Sequence, residues 1–146
     1  MKQKNIIFLS LFLISLAVIG QAQQTSENVI KKIEIFKNKE KFIKDDKLQY
    51  AGVGNPKLKP ILTAKINLSA DDFIELFKKR TATDKSYQQA IKKGLDRFSD
   101  VYAQVDSEDR ERVCLYYEEL MDIVGLESSG GHLNIFMYGF DPTKKL

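Results

Sequence analysis

Apolar positions recur with different periods along the chain, and each period predicts a different element. From 27 to 44, Val29, Ile33, Phe36 and Ile43 fall near helical spacing with lysines on the opposite face and Ser26 ahead as a cap. This predicts a first amphipathic helix ending at Asp45-Asp46. Gly52, Gly54, Pro56 and Pro60 then predict an irregular connection. Leu62, Ala64, Ile66 and Leu68 alternate with Thr63, Lys65 and Asn67, a period of two that predicts a short extended segment over 62–68. Ser69 with Asp72 reads as a capping box opening a second helix over 70–81, which buries Phe73, Leu76 and Phe77.

Thr83-Asp84 opens a third helix, in which Tyr87, Ile91, Leu95, Phe98, Tyr102 and Val105 form one stripe. Gly94 interrupts that stripe at a cost of about 1 kcal/mol, which points to a close helix crossing. Ser107 with Glu108, Asp109 and Arg110 opens a fourth helix. Its inner face is Val113, Tyr116, Leu120 and Val124, and Gly125 is its C-terminal cap. Ser128-Ser129-Gly130-Gly131 breaks the chain before a last apolar piece, His132 to Phe140, where 133–138 reads as helix in preference to strand. The expected fold class is mainly α: a compact bundle of about four helices, with one irregular connection and a short extended segment.

The N-terminal pattern differs from all of these. Lys2 and Lys4 precede a charge-free apolar run, Ile6 to Ile19, followed by Gly20-Gln21-Ala22. A basic start, an apolar middle and small residues at the third and first positions before a cut make a secretory signal peptide over 1–22. The competing reading, a membrane anchor, needs roughly 20 apolar residues. Gln23, not Cys, follows the cut, so no lipid anchor is expected. The expectation is a single helical domain over 23–146 that is soluble and periplasmic or secreted.

Cleavage changes the charge. Lys2 and Lys4 leave with the leader, so of 23 Lys+Arg, 21 remain against 20 Asp+Glu. A near-neutral chain has no global field for nucleic acid. The distribution is uneven: residues 29–60 hold nine Lys against four acids, and residues 100–146 hold ten acids against four Lys+Arg. These two regions are electrostatically complementary and are candidates to pack on one another. Cys114 is the single cysteine, which excludes an intramolecular disulfide. Between Val113 and Leu115 it reads as a small buried hydrophobe.

The stretch Asp106-Ser-Glu-Asp-Arg-Glu-Arg-Val-Cys-Leu-Tyr-Tyr-Glu-Glu-Leu-Met-Asp-Ile-Val-Gly-Leu-Glu-Ser-Ser-Gly-Gly, with Leu133-Asn134 and Tyr138-Gly139-Phe140-Asp141-Pro142 after it, resembles a bacterial family, domain of unknown function 4844. The resemblance implies a small single-domain bacterial protein. It brings no established activity and no functional residue to carry over.

Candidate chemistry is sparse. Gly52-Val-Gly-Asn-Pro56 lacks the preceding strand and following helix of a phosphate loop. Glu118, Glu119 and Asp122 stand together in the second half of the fourth helix. Glu118 and Asp122 are four apart and repel, and all three acids lie toward the negative end of the helix dipole. Such local violations can mark a function. The plain alternative is that these acids pair with lysines of the first helix. Tyr117, near the edge of the inner face, and His132, the single histidine, complete a candidate partner-binding surface. No catalytic residue, metal ligand or cofactor is assigned. The leading expectation is a non-enzymatic binding or interaction module for an unidentified protein or small ligand. The alternatives are a small metal-dependent hydrolase using Glu118, Asp122 and His132, and an inhibitor or immunity-type protein.

Overall fold

The structure, a computed structural model, describes residues 27–140. The leader assigned to 1–22 and the tail after Phe140 lie outside the described residues. Five α-helices follow in order: α1 over 27–38, α2 Leu58–Lys78, α3 Asp84–Asp96, α4 Ser107–Val124 and α5 His132–Tyr138. A 3-10 turn, Tyr102–Gln104, stands between α3 and α4. Among the described residues there is no strand, and the mainly helical expectation holds.

Helix α1 turns Ile33 and Phe36 into the core. It ends at 38, six residues before the expected boundary, because Lys41 folds back over its end. The Lys41 ammonium donates to the carbonyls of Phe36 (2.6 Å), Lys37 (3.1 Å) and Lys39 (3.0 Å) and is 1% exposed. These are carbonyls left open at a helix C-terminus, and a cation there also suits the helix dipole. Phe42 then adopts φ 56°, so that it, and not Ile43, enters the core; Ile43 is 40% exposed. The Phe42 N–H donates to the Tyr116 hydroxyl at 2.7 Å.

Residues 62–68 are not extended; they are the middle of α2, which also absorbs the expected start at Ser69. Leu58, Leu62, Ile66, Ala70, Phe73 and Ile74 are buried at helical spacing, while Ala64 and Leu68 face out. Over a short window, positions four apart satisfy both a period of two and a helical one, and burial on one side decides for helix. Pro60 sits in the first turn, where no intrahelical N–H is lost. Ser69 caps nothing: its hydroxyl donates back to the Lys65 carbonyl at 3.1 Å.

Helix α3 starts where expected. The Thr83 side chain accepts from the Ser86 N–H (3.3 Å), and the Ser86 hydroxyl accepts from the Thr83 N–H (2.8 Å). It stops at Asp96, well short of Val105. The Lys65 ammonium takes the Arg97 carbonyl at 2.6 Å, and turns carry the chain on. Most of the stripe survives the change of conformation: Phe98 and Val105 are buried, Tyr102 is partly buried, and Val101, outside the expected stripe, is buried beside it. Helix α4 is capped by Asp106, whose carboxylate accepts from the Asp109 N–H at 2.8 Å, and it ends on Gly125 at φ 74°.

Helices α2 and α3 pack on each other, α4 lies against α2, and α5 closes the bundle against α3 and α4. Phe136 of α5 meets Phe98 and Tyr102 edge-on at 5.7 and 5.5 Å. Gly94 lies at the crossing, where a Cβ would overlap the Tyr117 hydroxyl and the Ser69 Oγ. The close approach expected from this glycine is therefore to Ser69 of α2 and Tyr117 of α4 together.

Candidate functional site

Helix α4 is 18 residues or about 27 Å long, and a concavity opens toward each of its ends. The C-terminal one is a groove of about 470 Å³ between the second half of α4, the 126–131 segment and α5. Glu118 and Asp122 project into it four residues apart, Glu127 joins them, and Met121, Leu126 and Leu133 supply an apolar floor. The segment opposite is held by Gln88 of α3, whose amide donates to the Ser128 carbonyl at 3.1 Å. Gly130 and Gly131 take φ 67° and 84° there, and a Cβ on Gly130 would crowd the Gln88 side chain.

The other sequence candidates have different places. Glu119 points away from the groove and pairs with Lys39, just past α1, at 3.0 Å, as the plain reading of these acids expects. Tyr117 is 0% exposed and cannot meet a partner. Its hydroxyl shares a hydrogen bond of 2.7 Å with Ser69, and burial pushes its pKa up. Helices α2 and α3 cover the side of α4 that a single inner stripe would leave open. His132 is half-buried and opens α5 between the groove residues Gly131 and Leu133. Among the described residues no group of three or more His, Cys, Asp and Glu is placed to hold a metal ion. Glu118, Asp122 and His132 therefore do not converge as the hydrolase reading requires.

Cys114 is buried, and its thiol lies 3.8 Å from the Leu133 carbonyl of α5. Burial, with Glu118 and Glu111 nearby, pushes it up to about 12, so it stays a neutral thiol at physiological pH.

The concavity at the N-terminal end of α4 was not legible in the sequence. It holds about 250 Å³ between the turn at 45–50 and the first three turns of α4. The turn is closed by two backbone bonds between Asp45 and Tyr50, of 2.8 and 3.0 Å. The Tyr50 hydroxyl donates to Asp109 at 2.5 Å. Asp109 is 2% exposed; burial raises its pKa and Asp106 adds to that, while the Tyr50 hydroxyl and the Gly54 N–H oppose it. Asp45 and Tyr50 carry no motif, and only the closing of the turn brings them onto α4.

A family model for a domain of unknown function, DUF4844, matches residues 24–141. The chain belongs to this family. A crystal structure of a DUF3571 family protein from Acinetobacter baumannii AYE is similar to this DUF4844 chain, with 36% sequence identity and a TM-score of 0.72. The match covers 80% of this chain and 93% of that one. Comparison with curated proteins gives no match. Neither family name carries an activity, so function in this DUF4844 chain has to be read from its geometry. Among the described residues no helix is long and apolar enough to cross a membrane.

Proposed function

We propose that this protein is an exported, non-enzymatic binding domain whose ligand surface is the groove between α4 and α5. The observation that carries this reading is electrostatic. Among the described residues Glu118, Asp122 and Glu127 line one groove, no Lys or Arg lines it, and none of the three is ion-paired. Acids elsewhere are mostly neutralised in place: Asp71 by Lys37, Asp72 by Arg97 and Lys93, Asp100 by Lys65, Glu40 by Lys59. Three unpaired carboxylates over an apolar floor suit a ligand that is cationic and partly apolar, such as a basic polypeptide segment. Tyr138, one turn beyond the lining residue Asn134, is exposed and adds an aromatic edge. Export rests on the basic-apolar-small pattern of residues 1–22.

The test is a titration of the purified protein with a lysine-leucine peptide and with its glutamate-leucine counterpart, followed by amide chemical shifts. The basic peptide should bind and the acidic one should not, and raising salt should weaken binding. The triple variant E118Q/D122N/E127Q should lose about tenfold or more in affinity, roughly 1.4 kcal/mol, with a melting temperature that is not lowered. Binding that ignores the triple substitution, or no binding of the basic peptide at all, rejects the proposal.

A further inference from the structure

The pocket at the other end of α4 has walls that are held in place and functional groups that are left over. Glu108, Glu111, Arg112 and Leu115 recur at three- and four-residue spacing on one face of α4, and Leu48 and Tyr50 face them from the turn. Arg112 is held by three residues, Tyr50, Tyr116 and Asp45. Its guanidinium lies 5.5 Å from the Tyr50 ring and 5.1 Å from the Tyr116 ring, Nε donates to the Tyr116 hydroxyl (3.3 Å), and Nη1 donates to Asp45 (3.2 Å). Only 11% of the side chain is exposed. Nη2 has no partner among the described residues, so a rigid guanidinium offers donors to the pocket it lines.

Tyr50 is held from behind by Asp109, and Gln49 beside it is kept at φ 54°, a left-handed conformation that costs a non-glycine residue. Glu108 and Glu111, like charges three apart on a helix, repel and have no ion pair among the described residues. Leu48 and Leu115 give the pocket apolar sides.

A fixed donor, two carboxylates and two leucines within one small pocket demand three things of a ligand: an acceptor, an ammonium and an apolar group, all close together. An α-amino acid carries them around a single carbon. We propose that this pocket binds an α-amino acid unit with an apolar side chain, free or at the amino terminus of a peptide. Arg112 takes the carboxylate or first carbonyl oxygen, Glu108 and Glu111 take the ammonium, and the side chain lies between Leu48 and Leu115. This site is independent of the groove at the far end of α4.

Three probes separate the sources: L-leucine, the tripeptide Leu-Gly-Gly, and the same tripeptide with an acetylated amino terminus. Each is titrated into the purified protein to about 10 mM, a range that detects binding as weak as millimolar. Chemical shifts at Leu48, Tyr50 and Leu115 should move with leucine or with the unblocked tripeptide, and not with the acetylated one. Binding of leucine makes a free amino acid the ligand; binding of the unblocked tripeptide alone makes it a peptide amino terminus. The E108Q/E111Q variant, which leaves Arg112 and its ring contacts intact, should bind about tenfold or more weakly at an unchanged melting temperature. The triple groove variant should bind like the parent. Silence from all three probes, equal binding of the acetylated peptide, or full affinity in E108Q/E111Q would overturn the assignment.

Discussion

At Gly94 a single methyl group has nowhere to go. Alanine is the better helix former by about 1 kcal/mol. Here its Cβ would run into the Tyr117 hydroxyl and Ser69, which are bonded to each other and, through Ser69, to Arg97 at 3.2 Å. Overpacking of a core costs about 1–3 kcal/mol and a lost buried hydrogen bond about 1 more. Gly94→Ala should therefore lose a net 1–3 kcal/mol, roughly, in urea unfolding. A stabilised variant would mean that the crossing can widen. That Gly94 marks a crossing was readable from the apolar stripe it interrupts. That Tyr117 is what it meets was not. Tyr116 and Tyr117 sit about 100° apart on α4, and whether one or both are buried depends on how many helices flank it.

The least regular element carries the most unusual residues. Between α1 and α2 the chain has two non-glycine residues at positive φ, Phe42 and Gln49, and the buried ammonium of Lys41. Lys41 ties the segment to the end of α1, and three bonds tie it to α4: Phe42 through Tyr116, Asp45 through Arg112, Tyr50 through Asp109. Tyr50→Phe removes the hydroxyl donor from a buried carboxylate, and hydrogen bonds to charged groups are worth about 1.5–3 kcal/mol. A loss of that size in chemical denaturation, with faster amide exchange in 42–53, is the expected outcome. A loss well below 1 kcal/mol would show that Asp109 does not depend on Tyr50. Sequence patterning placed an irregular connection here, because Gly and Pro announce it. It could not show the anchoring, since each bond joins residues 59 to 74 positions apart. The misreading of 62–68 has the opposite cause: the local pattern fits two periods, and only contact with α3 and α4 chooses between them.

Across the whole molecule one ion pair joins a lysine of the basic 29–60 region to an acid of α4, Lys39 with Glu119, while Arg112 with Asp45 joins the same two regions with the charges reversed. The exposed Lys39–Glu119 pair contributes at most about 1 kcal/mol, so the opposite net charges of the two regions add little to stability. Alkaline stability should show a two-part profile. Burial pulls Lys41 down to about 8, below its ordinary value of 10.5, so the folded state binds fewer protons than the unfolded one between these values and this group adds stability as pH rises through them. Burial holds Tyr117 above its ordinary value, and burial with Asp109 does the same for Tyr50. The folded state then keeps protons that the unfolded chain releases, and stability falls as pH rises past 10. Unfolding free energies from pH 7 to 11 should level or rise before falling, and in Lys41→Met the early part should vanish. An unchanged profile in that variant would show that Lys41 titrates normally. The sequence by itself determined the helical class, the buried stripes, the caps at Thr83 and Gly125, and the acid cluster on α4, because propensity, period and capping act within a few residues. Only the tertiary structure decided which acids are neutralised, that Tyr117 is core, and that Arg112 is framed by two tyrosines over a pocket. Those outcomes depend on which distant side chains share a low-dielectric contact, and no local pattern encodes that.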